Sequence, residues 1–132
     1  MAGLSYPLGR HGRDRARSAA GTPIADITLE RVVAGEIAED DVRIAPETLR
    51  AQADFAEAGG NPQLAENLRR GAELTAFADD ELLRFYDLLR PGRATAAELD
   101  ELAAVLDGRG AVLTAALVRE ARAAYVRRGL TA

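Results

Sequence analysis

Few side chains in this sequence are equipped to carry a reaction. Its single histidine, His11, sits beside Gly12 in "RHGRDRAR". A catalytic imidazole needs an orienting partner and a shielded pocket, and nothing near it in sequence supplies either. Cysteine is absent, which excludes disulfides, thiolate metal ligands and a thiol nucleophile together. Metal ligation would then fall to carboxylates alone. Two runs qualify by proximity, Glu39-Asp40-Asp41 and Asp79-Asp80-Glu81. Each stands at a predicted helix start, where the helix dipole favours negative charge, and neither has the glycine-punctuated spacing of a calcium loop. "GRG" at 108–110 is too short for a phosphate-cradling loop. The sequence assigns no catalytic, cofactor-binding or metal-binding residue.

What remains is chemistry of contact. The stretch "NPQLAENLRRGAELTA", Asn61 to Ala76, combines a helix start, an apolar stripe, polar amides and paired arginines. Glu66 and Arg70 stand at i and i+4 in the favourable order, a surface pair worth a few tenths of a kcal/mol. Arg69 and Arg70 are alternatively placed to reach acidic groups on a partner. Phe55, Phe77, Phe85, Tyr86 and Tyr125 are expected mostly in the core by their spacing, with one or two left as interface anchors.

The elements that must position these residues announce themselves from Pro46 onward. Pro46 at a first helical position, Glu47 in the first turn and Gly59-Gly60 after the last bound one helix. Asn61-Pro62 repeats the device for the next, with Leu64, Leu68, Ala72 and Thr75 on one face. A third helix starts at Asp79, carries Leu82, Phe85, Tyr86 and Leu89 at i, i+3, i+4 and i+7, and stops at Pro91-Gly92. Thr95 to Glu98, "TAAE", is a capping box ahead of Leu99, Leu102, Ala103 and Leu106. The last helix runs from about Ala111 to Arg128, with arginines in its closing turns. Before these, "DITLERVVAG" reads as a short helix with Asp26 or Thr28 as cap and Gly35 as stop, and "AEDDVRI" as a single turn. No segment from 46 onward alternates with period two. The fold class is all-α, with tight turns that imply antiparallel neighbours.

The chain has 132 residues, enough for one domain that buries roughly two-thirds of its unfolded surface. Residues 1–132 read as a single domain: an irregular arm over 1–25, short helical turns over 26–45 and a helical bundle over 46–130. Gly and Pro punctuate the arm so closely that no apolar period survives, and such segments become ordered by draping over another chain. All seventeen basic residues are arginine, the net charge is −4, and residues 1–25 carry four arginines against one aspartate. An acidic body lacks the basic face that nucleic acid requires. There is no apolar run of signal-peptide or membrane-spanning length, so a soluble cytosolic protein is expected. Many alanines and an aromatic fraction of 5% suggest thin, openly packed helices suited to a subunit. A free-standing helical adaptor or regulator is the alternative, and an independent small enzyme lacks any constellation to carry it.

The phrases "YPLG…GTPIADITLERVVAGEI…EDDVRIAPETLRAQA" and "GNPQLAENLRRGAELTAFADDELLRFYDLLRPGRATAAELDELA" closely resemble the small (gamma) subunit of adenosylcobalamin-dependent diol and glycerol dehydratases. The likeness continues through "VREARAAYVRRG" and covers nearly the whole chain. The resemblance implies an open bundle of three main helices, up and down, behind an irregular N-terminal part. It implies a heterohexamer with two copies each of large, medium and small subunits, which removes water from 1,2-propanediol, glycerol or ethane-1,2-diol by a radical route. The substrate would lie in the large subunit and adenosylcobalamin between the large and medium subunits, so that this chain binds no cofactor. Ala45 departs from the capping serine usual in the family, which should weaken that helix start by about 1 kcal/mol. Some relatives use N-terminal extensions to enter a bacterial microcompartment, and the short head here leaves encapsulation open within a cytoplasmic location. On polarity and placement, the candidates for subunit contact are Tyr6, Pro7 and Leu8 in the head, Asn61, Gln63, Asn67 and Arg70 on one helix, and Arg90 and Arg93 beyond the next.

Overall fold

The computed structural model describes residues 3–132, so the first two residues of the expected arm lie outside the described residues. The architecture is all-α. Among the described residues there are eight α-helices and one 3-10 turn, and the only β pairing is two isolated bridges, Arg17 with Pro23 and Ser18 with Ile44. Among the described residues no helix is long and apolar enough to cross a membrane. The chain divides into two compact units, Met1–Thr75 and Ala76–Ala132.

The first unit holds α1 (Leu8–His11), the 3-10 turn (Ile24–Asp26), α2 (Leu29–Val33), α3 (Glu39–Val42), α4 (Pro46–Ala58) and α5 (Pro62–Leu74). The cap signals read from sequence act as expected in most places. Thr28 accepts from the Arg31 amide at the start of α2, Asn61 accepts from the Leu64 amide at 3.1 Å, and Pro46 and Pro62 fill first-turn positions that need no donor. Ala45 leaves the start of α4 without a side-chain cap. Gly60, at φ 83°, makes the left-handed step of the α4–α5 turn, a conformation glycine adopts without steric cost. Arg69 of α5 meets Asp54 of α4 at 3.2 Å, which pins the two helices side by side.

Alanine is what lets them approach. Ala51, Ala53, Ala65 and Ala72 are each no more than 4% exposed. The alanine content therefore marks closely pressed helices rather than the open packing expected from composition. The buried face of α5 is also rotated from the expected stripe. Ala65 and Ala72 are inside, Leu68 is half-buried, and Leu64 and Thr75 are exposed.

The head has more structure than its glycines and prolines suggest. The amides of Ala19 and Ala20 donate to the carbonyls of Arg43 and Asp40, and the Ile24 amide donates to Ala16. Ala16 and Ser18 are buried, and the Thr22 hydroxyl donates to the Asp41 carboxylate. Together with the Ala38 amide, that hydroxyl holds the Asp41 carboxyl below its ordinary pKa. Sequence periodicity misses such order because backbone bonds to a distant turn leave no period.

The second unit holds α6 (Asp79–Leu88), α7 (Ala96–Gly108) and α8 (Val112–Arg128). Helices α7 and α8 pack antiparallel: Asp107 pairs with Arg119, and Asp100 with Arg122 at 3.1 Å. Between them lie Leu99, Leu102, Ala103 and Leu106, the stripe expected from sequence, against Ala111, Ala115 and Val118, all at most 4% exposed. Gly129 at φ 66° ends α8 in a left-handed cap. Behind it, Ala132 N–H donates to Ala94 and Gly92 N–H to Leu130, while the Tyr125 hydroxyl donates to the Leu89 carbonyl at 2.6 Å. The chain end thus closes onto the α6–α7 turn.

The predicted capping box is present at α7. Thr95 Oγ1 accepts from the Glu98 amide, and the Glu98 carboxylate accepts from the Thr95 amide at 2.8 Å and from its hydroxyl. These bonds, the backbone one first, hold the Glu98 carboxyl below the ordinary range. Thr95→Ala should therefore destabilise the protein by about 1 kcal/mol in urea denaturation followed by circular dichroism. The same measurement has a predictable pH dependence. Asp41, Glu81 and Glu98 all have depressed folded-state pKa values. Their contribution is complete above the unfolded carboxylate pKa, near pH ~4, and is lost as pH falls through the folded values. The urea midpoint should drop on acidification, and less steeply in Thr95→Ala, where Glu98 has lost one of its two stabilising partners.

Candidate subunit interface

In the first unit an open apolar trough of about 680 Å³ runs along α4 and α5. Phe55 and Ala56 of α4, with Gln52 one turn before, form one wall, and Leu64 and Leu68 of α5 form the other. Tyr6 closes one side, its ring edge-on to Phe55 at 5.8 Å. Among the described residues no charged side chain lines it. Tyr6 is 75% exposed and Leu64 46%, so two of its largest apolar groups face solvent. A second apolar hollow of about 390 Å³ in the same unit is floored by Ile24, Ile27, Val42 and Ile44.

The sequence-derived candidates distribute unevenly around the trough. Tyr6 lines it. Gln63 and Asn67 are exposed on α5, next in sequence to Leu64 and Leu68, but neither lines the trough. Asn61 is committed to capping the helix. Arg70 donates to the Asn67 side chain and lies 3.7 Å from Glu66, the intrahelical pair expected from spacing. Pro7 and Leu8 are half-buried at the start of α1, where the Pro7 carbonyl accepts from the Arg10 and His11 amides. Arg90 and Arg93 belong to the second unit. Both are exposed, and Arg90 lies 3.7 Å from Asp87.

Sequence reasoning missed part of the exposed apolar surface. Tyr86, expected in the core, is 72% exposed, and Leu83 one turn before it is 71% exposed. Leu29 and Val33 of α2 are likewise open to solvent. Their signal was available in composition: large apolar residues on a helix of only five residues have little of their own element to bury against.

The arrangement suits binding better than reaction. His11 is exposed and lines none of these hollows. Among the described residues no group of three or more His, Cys, Asp or Glu is placed to hold a metal ion. The two acidic runs serve helix starts, where Asp41 accepts from the Ala38 amide and Glu81 from the Ala78 amide, each at 2.9 Å.

A sequence model of the dehydratase small-subunit family matches residues 1–131. The chain belongs to that family. It is 44% identical over 124 residues to the propanediol dehydratase small subunits of Citrobacter freundii and of Salmonella typhimurium strain LT2, which spans 93% of this chain and 72% of each relative. Family membership makes this a subunit of a dehydratase, a lyase, and the free-standing adaptor reading is not favoured.

Proposed function

We propose that this chain is the non-catalytic small subunit of a coenzyme B12-dependent diol or glycerol dehydratase, and that its 132 residues act as one brace on the large catalytic subunit. The observation that carries the reading is the 44% identity along 93% of the chain to propanediol dehydratase small subunits. The Tyr6–Phe55–Leu64–Leu68 trough supports it, because an exposed apolar hollow without charged lining has the composition of the centre of a subunit contact. Tyr6, Gln63 and Asn67 are the contact residues that this reading favours most. Pro7, Leu8 and Asn61 act behind them by fixing the head and the start of α5, Arg70 by pairing with Glu66 and Asn67 along that helix, and Arg90 and Arg93 offer a separate contact on the second unit.

In the assembly proposed, two copies each of large, medium and small subunits convert a 1,2-diol or glycerol to an aldehyde with loss of water. Adenosylcobalamin then belongs between the large and medium subunits. The residues of this chain do not fit it, since the one imidazole is exposed and outside every hollow described. The physical contribution of a brace is mass action: binding only the folded large subunit stabilises that subunit. An obligate contact of this kind should bury about 2,000 Å² or more. A cytoplasmic location, inside a microcompartment or free, accompanies the proposal.

Co-expression with the large and medium subunits should give one stoichiometric complex on size-exclusion chromatography, active only with adenosylcobalamin added. The isolated chain should show no dehydratase activity and no cobalamin binding in a titration. Elution of the chain as a separate species from an otherwise assembled enzyme would overturn the proposal.

A further inference from the structure

Helices α6 and α7 do not close on each other along their whole length, and the seam between them is a cleft of about 230 Å³. Each helix contributes residues at i, i+3, i+4 and i+7, which is one continuous helical stripe. The floor is apolar: Phe85 and Leu88 from α6, Leu102 and Val105 from α7. The rim is acidic. Glu81, Glu98 and Glu101 stand around the opening against a single lining cation, Arg84.

Two of the three carboxylates are fixed in place, both by bonds at the helix starts and one also by an ion pair from the α7–α8 turn. Glu98 is held by the Thr95 amide and hydroxyl, and Glu81 by the Ala78 amide and the Arg109 guanidinium at 2.6 Å. Both are kept ionised by those contacts. Glu101 is exposed and has no hydrogen-bond or ion-pair partner among the described residues. Val105 is 50% exposed over the floor.

An apolar floor with a carboxylate rim matches one kind of side chain. Lysine and arginine carry a long aliphatic stem that lies on apolar surface while the charged head reaches out to carboxylates. A purely apolar group would desolvate Glu101, the rim carboxylate without a partner, and an acidic group would be repelled by it. The volume admits one or two large side chains and no more.

We propose that the α6–α7 cleft is a socket for a basic side chain, an arginine or lysine, presented by the neighbouring dehydratase subunit. Its stem lies along Leu88 and Val105, and its head pairs with Glu101 at the open edge. The inference rests on the subunit role proposed above and adds to it a specific, charged contact on the second unit. Rim charges of this kind act chiefly on encounter rate and salt dependence.

The test uses the full chain as analyte over the immobilised large–medium assembly, at about 50 mM and about 300 mM NaCl, salt concentrations that bracket the range over which screening becomes strong. Glu101→Arg should slow association by about tenfold at the lower salt and converge on the wild type at the higher. Arg84→Glu, which makes the rim more acidic, should move the rate in the opposite direction. Both positions are exposed, and circular dichroism of each variant checks that the helices are retained. Opposed shifts support the socket, because loss of packing would not change sign with charge. If the wild type binds and both variants bind like it, within about twofold at low salt, the socket is refuted while the subunit role stands. If the wild type does not bind the assembly at all, the subunit role fails and the socket with it. A wild-type dimer in light scattering that Glu101→Arg abolishes would make a second copy the occupant and overturn the proposal.

Discussion

Phe77→Ala is expected to destabilise the second unit by about 3–5 kcal/mol, the range for deleting a buried aromatic ring. Phe77 is 4% exposed although it sits in the turn just before α6. Its ring meets Phe85 edge-on at 5.3 Å and 78°, and the Arg109 guanidinium carbon lies 4.0 Å from its centroid. Arg109 is itself oriented by Glu81 at 2.6 Å and by the Ala76 carbonyl at 2.7 Å. One side chain thus joins the entry to α6, the α6 face and the α7–α8 turn. Its removal leaves a cavity that these three elements cannot jointly collapse into, and it also strips Arg109 of a cation–π contact worth about 0.5–1 kcal/mol at an exposed site. Urea denaturation should report a lower midpoint with an unchanged slope. Phe77→Leu, which fills most of the volume, should recover more than half of the loss. A Phe77→Ala effect below about 1 kcal/mol would mean that the ring is not an anchor of this unit.

That anchor illustrates what the sequence could and could not reveal. Helix limits were legible because each is written in local chemistry: Pro46 and Pro62 at first turns, Asn61, Thr28 and Thr95 as caps, and glycine after the last turn. The α7 stripe was legible because a helix clamped by its neighbour buries one face at a regular interval. Arg109 over Phe77 was not, since the two are far apart in the chain and meet only once the turn between α7 and α8 is formed. The α5 face was misjudged for a different reason. Periodicity groups Leu64 with Leu68 and Ala72, but it does not say whether the cover comes from the same chain. Within this chain the close α4–α5 contact is made by alanines, which leaves Leu64 in solvent. Tyr86 and Leu83 follow the same logic. An apolar stripe on an exposed helix face carries the same period as a core face, and the sequence of one chain does not distinguish the two.

The largest functional effect is expected from Leu64→Asp. Leu64 is 46% exposed, so the substitution removes about half of what a fully buried leucine would contribute to the isolated chain. It falls in the first turn of α5, three residues after the Asn61 cap, where a carboxylate is favoured by the helix dipole. The isolated variant should therefore keep the wild-type circular dichroism spectrum, with a urea midpoint lowered by no more than about 1 kcal/mol of stability. In the complex the outcome differs. Leu64 forms one wall of a trough with no charged lining residue, and a neighbouring subunit seated there would bury an aspartate with no cation to receive it. Burying an unpaired charge at the centre of a contact costs far more than the leucine contributes. The expected loss is about 2–4 kcal/mol of binding, or roughly 30- to 1,000-fold in affinity. Co-expression with the large and medium subunits should then leave the small subunit out of the purified complex. Gln63→Ala, at an exposed position outside the trough lining, should change affinity by less than about tenfold, because solvated peripheral contacts contribute little. A Leu64→Asp chain that assembles like the wild type would place the large-subunit contact on another face, with the exposed Leu29 and Val33 of α2 as the next surface to probe.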